Sequence, residues 1–143
     1  MLAPKKVKYR KMHRTPYDGK AKGNKYIAFG EYGLVATTGN WVKGNQIEAA
    51  RIVLAKVLGK TGKMWTRIFP QLSITKKPLE VRMGSGKGNP EYYVAVVKEG
   101  TVMFEIAGVE EKIARDALRK AGNKLAVLCR VVSKGDLAHE ATK

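Results

Sequence analysis

A short segment rich in glycine and in cations, residues 82–90, has the composition that points most directly to chemistry. Three glycines stand at alternate positions and two cations accompany them in the run Arg82-Met83-Gly84-Ser85-Gly86-Lys87-Gly88-Asn89-Pro90. Glycines spaced in this way expose backbone amides and let them approach a partner closely, while the cations attract an anion. The segment therefore predicts contact with phosphate groups.

Two nucleotide-binding motifs are similar to this segment, and neither fits it. A P-loop ends in Gly-Lys-Ser/Thr between a strand and a helix, but Lys87 is followed by Gly88 and by a predicted strand. In the dinucleotide motif, Asn89 stands where the third glycine is needed. The run Gly59-Lys60-Thr61 also fails as a P-loop, because Leu54 replaces the first glycine and a helix precedes it. We therefore interpret residues 82–90 as a flexible basic finger that lies along an RNA backbone, and a solvent-exposed hairpin loop is the alternative.

Residues able to catalyse a reaction or to hold a metal are sparse. Cys129 is the one cysteine and stands in an apolar run, which is typical of a small core residue. His13 and His139 lie near opposite ends without ligand spacing, and the acids form no carboxylate pair at a useful spacing. We therefore expect no enzyme activity, no metal and no cofactor.

The first 25 residues form a basic arm that holds half of the net charge of +16. Asp18 is the single acid among nine cations, which are Lys5, Lys6, Lys8, Arg10, Lys11, Arg14, Lys20, Lys22 and Lys25. Such a segment repels itself and buries too little apolar surface to fold alone. The arm indicates a polyanionic partner, nucleic acid first, with Tyr9 and His13 placed to contact a base or a sugar.

Residues 51–90 carry the other excess of positive charge. Glu80 is the only acid there, and the cations are Arg51, Lys56, Lys60, Lys63, Arg67, Lys76, Lys77, Arg82 and Lys87. An ordinary solvated face is the alternative, but it would contain interspersed acids, as residues 91–143 do. The aromatics Tyr17, Tyr32 and Trp41 could stack on bases, whereas Trp65 lies in an alternating strand and is interpreted as core.

The elements that must position these residues follow from periodicity. We predict a strand or a bent strand pair over residues 26–38, strands over 64–69 and 125–132, and a short extended piece at 79–82. Strands 91–98 and 101–107 are predicted to form a two-residue hairpin at Glu99-Gly100. A helix from Asn45 to Leu58, ending at Gly59, has Asn45 as N-cap, Glu48 completing a capping box, and an apolar stripe that includes Val57 but not Ile52. The second helix, 109–121, has an apolar face that includes Ile113.

Two helices on one face of a mostly antiparallel sheet make the expected fold α+β. We expect a basic extended arm over 1–25, one domain over 26–132 with the loop 82–90 inserted, and a flexible tail over 133–143. The longest apolar runs are too short for a membrane span and no secretory signal precedes the arm, so no membrane partner is expected. A homo-oligomer is not expected either.

At several blocks the chain resembles a known family, the bacterial-type protein sixteen of the large ribosomal subunit. The resemblance covers about residues 1–132 and is strongest over 77–92. Its other blocks are Met1-Leu2, Pro4-Lys5, Tyr9-Arg10-Lys11-Met12-His13, Phe29-Gly30, Tyr32-Gly33-Leu34, Gln46-Ile47-Glu48-Ala49-Ala50-Arg51 and Arg67-Ile68-Phe69-Pro70.

The resemblance implies an α+β protein that binds large-subunit ribosomal RNA at the A-site side of the peptidyl-transferase region. It implies help in positioning aminoacyl-tRNA in the A site, with P-site tRNA as a further partner, and in completing subunit assembly beside neighbouring ribosomal proteins. It places the chain in the bacterial cytoplasm, with a plastid ribosome as the alternative. The residues expected to bind ribosomal RNA are Lys5, Lys6, Lys8, Arg10, Lys11, His13, Arg14, Arg51, Lys56, Lys60, Lys63, Lys76, Lys77, Arg82, Met83, Gly84, Gly86, Lys87, Gly88 and Asn89.

Overall fold

The computed structural model describes residues 3–4, 16–21, 23, 25–75 and 90–135 of the 143-residue chain. Two helices and seven strands follow one another over these residues. They are β1 (Tyr32–Ala36), β2 (Asn40–Lys43), α1 (Gly44–Leu58), β3 (Lys63–Thr66), β4 (Leu72–Thr75), β5 (Pro90–Val97), β6 (Val102–Ala107), α2 (Glu111–Gly122) and β7 (Cys129–Ser133). The predicted α+β class is confirmed. The short extended piece predicted at 79–82 lies outside the described residues.

The strands form two antiparallel sheets rather than the single sheet that was predicted. One sheet has the order β3-β6-β1-β7 and the other the order β2-β5-β4. Both sheets border one main core, because Val42 and Val97 from the smaller sheet pack together with Leu34 and Phe104 from the larger sheet. The helices pack against each other, α2 on β1 and β7, and α1 on β2, β3 and β5. α1 therefore joins the two sheets.

The predicted hairpin between β5 and β6 is wrong, because the two strands enter different sheets. The turn itself is present: Gly100 has a φ of +92°, and the Thr101 amide donates to the Lys98 carbonyl at 3.1 Å. Beyond the turn, the Gly100 amide donates to the Ala36 carbonyl at 2.8 Å, and the Ala36 amide donates to the Thr101 carbonyl at 3.0 Å. Pairing with β1 thus directs β6 away from β5.

Three other strand predictions need correction. Strand character in the segment 26–38 is confined to Tyr32–Ala36, and β2 and β4 were not predicted. The strand predicted over 64–69 runs from Lys63 to Thr66. The strand predicted over 125–132 begins only at Cys129, because residues 125–127 form a bend whose Leu125 and Val127 are nevertheless buried. Burial there comes from packing against the main core and not from sheet pairing.

The helices bury the stripes that their sequences predict, except at the edges. Val57 is 38% exposed and Ile113 is 46% exposed, so both predictions of burial are wrong. At 100° per residue, each lies roughly 80–100° from the centre of its buried stripe. Ile52, which did not fit the stripe, is 47% exposed on the far side of α1.

The start of α1 differs from the predicted capping arrangement. The helix begins at Gly44, and the Lys43 amide donates to Gln46 Oε1 at 2.9 Å. Asn45 therefore lies inside the first turn and is not the cap. Gln46 has the role predicted for Glu48, because the capping side chain stands three residues after the N-cap and the N-cap is Lys43, two residues before the predicted Asn45.

Candidate nucleic-acid interface

The glycine-rich segment leaves the smaller sheet and returns to it at one place. β4 and β5 pair from Leu72–Val94 to Thr75–Pro90, so the residues on either side of the segment 76–89 are partners in the ladder. Both ends of that segment therefore start from hydrogen-bonded strand residues, whose positions the sheet fixes. The predicted RNA-binding residues in it lie outside the described residues: Lys76, Lys77, Arg82, Met83, Gly84, Gly86, Lys87, Gly88 and Asn89.

The described end of the basic arm, residues 16–21, lies against the body. Tyr17 makes an edge contact with Trp41, with ring centroids 6.0 Å apart, and the Ala21 amide donates to the Glu99 carbonyl at 2.8 Å. Ala21 is buried. Glu99, the residue that holds the arm, follows Pro90 by nine residues of nearly extended chain. At the usual rise of a strand, this places the anchor about 30 Å from Pro90. The arm residues predicted to bind RNA lie outside the described residues: Lys5, Lys6, Lys8, Arg10, Lys11, His13 and Arg14.

Three of the predicted cations lie close together in the chain, where α1 ends and β3 begins. Lys56 is in the last turn of α1, Lys60 follows in the turn, and Lys63 opens β3; all three are exposed. None of them forms an ion pair with another described residue. Their charges are therefore uncompensated within the described part of the chain, as binding to a polyanion requires.

Arg51, the fourth described cation of the predicted set, has a carboxylate partner. Its guanidinium donates to both oxygens of Glu48, with Nη2 at 3.0 Å from Oε2 and Nε at 3.2 Å from Oε1. This hydrogen bond lowers the pKa of Glu48 and raises the pKa of Arg51, so both side chains remain charged. Arg51 can still face a phosphate, but it adds less net charge than the three lysines.

The surface of α2 contrasts with that region, because three of the helix's four cations are paired with acids. Arg115 contacts Glu111 at 3.0 Å, while Arg119 and Lys120 contact Asp116 at 2.7 and 3.1 Å. Hydrogen bonds from Arg119 and then Lys120 lower the pKa of Asp116. An open groove of about 870 Å³ beside this helix is largely apolar. α2 therefore has fewer unpaired cations available to a polyanion than the end of α1 and the start of β3 have.

A buried carboxylate, which the sequence analysis did not single out, holds the segment 28–30 on the larger sheet. Glu105 is fully buried in β6, and its Oε1 accepts the amides of Ala28, Phe29 and Gly30 at 3.0, 2.8 and 2.9 Å. Its Oε2 accepts a hydrogen bond from Arg67 Nη1. Burial by itself raises the pKa of Glu105, but the bonds from the Gly30 and Phe29 amides and from Arg67 outweigh it and lower the pKa.

Gly30 is required for this close approach. A Cβ built on it would stand 2.8 Å from the Ile106 carbonyl oxygen and 3.1 Å from the Glu105 Cβ. The signal that could have revealed the contact was a lone acid inside the apolar strand Val102–Ala107, since a buried carboxylate requires partners.

The segment 28–30, which Glu105 holds on the larger sheet, presents an aromatic side chain to solvent. Phe29 is 60% exposed, and its ring stacks on Trp65 with centroids 6.1 Å apart and planes at 23°. The Arg67 guanidinium carbon lies 5.1 Å from the Phe29 ring centroid. Trp65 is half-buried in this stack rather than in the core, so its interpretation as core is wrong. An alternating strand has two faces, and here the core lies on the face of Met64.

The other aromatics considered for base stacking are partly occupied. Tyr32 is half-buried against the core with Arg115 above its ring at 5.9 Å, and Trp41 packs on the buried cluster of Leu72, Ile74 and Val94. Neither side chain is as exposed as that of Phe29.

The described residues also bear on catalysis, metal binding and membrane insertion. Burial raises the pKa of the Cys129 thiol to about 11, as suits a partly buried residue. No group of three His, Cys, Asp or Glu side chains within residues 16–75 and 90–135, leaving aside 22 and 24, could hold a metal. In that same part of the chain, neither helix has the length and apolarity needed to cross a bilayer.

Comparison with known proteins gives consistent similarities. The sequence profile of the family described as Ribosomal protein L16p/L10e matches residues 4–132. Among similar proteins, the large ribosomal subunit protein uL16 of Malacoplasma penetrans is 66% identical over 140 residues, covering 98% of this chain and 100% of the relative. The proteins of the same name from Mycoplasmoides gallisepticum and Mycoplasma pneumoniae are 64% and 62% identical, covering 94% and 96% of this chain and 97% and 99% of the relatives.

Proposed function

Because the chain belongs to the ribosomal protein L16p/L10e family, we propose that it is a structural constituent of the large ribosomal subunit and binds large-subunit ribosomal RNA. The observation that carries the proposal is the match over residues 4–132, which includes both the basic arm and the segment 82–90. The family resemblance identified from the sequence is thereby confirmed.

The charge distribution supports RNA as the partner. Lys56, Lys60 and Lys63 are exposed and have no acidic partner among the described residues, whereas three of the four cations of α2 are paired with acids. Each lysine that neutralises a phosphate releases a counterion and adds about 0.9 to the slope of log K against log salt on duplex targets. The three together would contribute roughly 2.7 to that slope.

The folded body sets where the basic segments meet the RNA. The loop 76–89 starts from the paired residues Thr75 and Pro90, and the arm leaves from its anchor at Glu99. We expect Arg82 and Lys87 in the loop, and the cations of residues 5–14 in the arm, to contact ribosomal RNA. Ordering these segments on RNA would couple their binding to subunit assembly.

The finer assignment follows the family resemblance. The protein would lie at the A-site side of the peptidyl-transferase region, beside neighbouring ribosomal proteins of a bacterial, cytoplasmic ribosome. It would help to position aminoacyl-tRNA and to complete the subunit. Its part would be positional and not enzymatic, since it would shape an RNA pocket with cations and backbone amides.

Sedimentation of a cell lysate through a sucrose gradient in high salt tests the proposal. A structural constituent should remain with the large subunit, because its contacts include RNA-embedded segments as well as exposed charges. Recovery of the protein at the top of the gradient, with soluble proteins, would refute the proposal. A large-subunit protein already known to resist the same salt serves as the control.

A further inference from the structure

The outer face of β3 carries a row of alternating cationic and aromatic side chains. Lys63, Trp65 and Arg67 are two residues apart, and the Arg67 amide continues the ladder by donating to the Met103 carbonyl at 2.8 Å. Side chains at this spacing share one face and stand about 7 Å apart. β3 is also an edge strand of the larger sheet, so no second strand pairs with it within the described part of the chain.

Phe29 completes this row as a rigid aromatic surface. A single exposed phenylalanine is common on proteins and by itself indicates nothing. Phe29, however, is held in position at two points. Its backbone amide donates to the buried Glu105 at 2.8 Å, and its ring stacks on Trp65. Stacking of a further flat group on Phe29 would therefore cost little ordering entropy.

We infer that Phe29 and Trp65, with Lys63 and Arg67 beside them, form a stacking site for an unpaired RNA nucleobase. Any nucleobase offers a π-face to an aromatic ring, so the site would tolerate different bases. Lys63 is exposed and has no ion pair among the described residues, which suits it to the phosphate of the stacked nucleotide. Arg67 is a positioning residue, because its guanidinium lies over Phe29 and bonds to Glu105.

Charge complementarity favours RNA over a neighbouring protein as the occupant. Among the described residues, Glu105 is the one acid that forms an ion pair with this row, and it is buried. The uncompensated charges nearest in the chain, Lys60 and Lys63, are positive. The inference rests on the proposed function, since ribosomal RNA would supply the unpaired base.

Fluorescence of Trp65 in the full chain tests the stacking site directly. The chain has two tryptophans, so Trp41→Phe leaves Trp65 as the only reporter. We expect a short oligoadenylate to quench Trp65, and an abasic oligonucleotide of equal length and charge to leave it unchanged. Phe29→Leu should weaken the oligoadenylate affinity by about 5- to 150-fold, the range that loss of one stacked base implies.

Two further variants separate stacking from general loss of apolar surface. Phe29→Tyr keeps an aromatic ring and should bind within about twofold of the parent. Leu128→Ala removes apolar surface from a side chain that is 70% exposed just before β7, the edge strand opposite β3, and should bind as the parent does. Equal binding by Phe29→Leu and the parent, or equal quenching by the abasic probe, would overturn the stacking site. This holds even if Phe29→Leu melts at a lower temperature, because the abasic comparison uses no Phe29 variant.

Chemical probing of large subunits distinguishes failure of this inference from failure of the proposed function. Subunits assembled with Phe29→Leu should retain the protein in high salt and show one unpaired ribosomal base with increased reactivity. Retention with an unchanged reactivity pattern would overturn the stacking site and leave the proposed function intact; a protein partner would then occupy the surface. Absence of the unsubstituted protein from the subunits would refute the proposed function, and the oligoadenylate titration would still decide the stacking site.

Discussion

Replacing Glu105 by glutamine removes a charge from the contact that holds the segment 28–30 on the larger sheet. The side chain keeps its shape and one carbonyl oxygen, which can still accept the three amides at 2.8–3.0 Å. The new amide group, however, would face the Arg67 guanidinium as a donor against a donor. Arg67 would lose its carboxylate and keep a partly buried charge.

The expected loss of stability follows from the burial of the two side chains. Removing one member of a buried ion pair costs about 3–5 kcal/mol. The Arg67 side chain is 21% exposed and Glu105 is 0% exposed, so water can reach the guanidinium and the lower end of that range applies. We expect Glu105→Gln to lower the free energy of unfolding by about 3 kcal/mol, or the melting temperature by about 10 °C for a domain of this size.

The loss should depend on pH in a defined direction. The pKa of Glu105 in the folded protein lies below its ordinary value of 4.5, so the carboxylate contributes stability that is fully present above that value. This contribution disappears as the pH falls through the lowered folded-state pKa. The stability difference between the parent and Glu105→Gln should therefore be largest near neutral pH and should shrink below about pH 4.5.

Urea unfolding of the purified full chain, followed by circular dichroism between neutral pH and pH 3, measures both effects. Glu99→Gln is the matched control, because the same chemical change on an exposed side chain should stay within about 0.5 kcal/mol. An unchanged midpoint for Glu105→Gln at neutral pH would refute the reasoning. So would a difference from the parent that stays constant over the whole pH range.

Three further outcomes can be measured. Gly30→Ala places a Cβ 2.8 Å from a carbonyl oxygen of β6 and should lower the free energy of unfolding by about 1–3 kcal/mol; Gly23→Ala meets nothing within 4 Å, and equal urea midpoints would contradict this account. Lys60→Gln should reduce the salt slope of binding to ribosomal RNA by about 0.9, while an equal reduction for Lys124→Gln, beyond the end of α2, would argue for non-specific charge. Cys129, with a pKa of about 11, should be alkylated by iodoacetamide at pH 8 far more slowly than free cysteine, and an equal rate would show an accessible thiolate.

Elements whose signals lie in the local sequence could be predicted. α2 was expected over 109–121 and runs over Glu111–Gly122, since its acidic first turn, basic last turn and alanine-rich stripe agree with one another. The strand expected over 101–107 is observed over Val102–Ala107. In both cases, residues within the element itself or next to it in the sequence determine the structure.

Partners distant in sequence could not be predicted in the same way. Glu99-Gly100 correctly predicted a turn with a positive φ, but a turn does not determine which strand β6 pairs with, and β1 is that partner. Glu105 binds amides that precede it by 75–77 residues, and no spacing rule connects them. The excess of cations over residues 51–90 is visible from the sequence alone, whereas the pairing of Arg51 with Glu48 depends on side-chain geometry. The residue predictions for the arm and for the loop 76–89 stay predictions.

The order of strands in the larger sheet determines when the protein can acquire its fold during synthesis. β1 is hydrogen-bonded on one side to β6 and on the other to β7, whose first paired residue, Cys129, comes about 90 residues after Ala36. At roughly 5–20 residues per second, about 5–20 s pass between translation of β1 and translation of its last partner. During that interval β1 has an unpaired edge, and the chain already carries its basic arm. We therefore expect the newly made protein to expose this strand edge until the final strand closes the sheet.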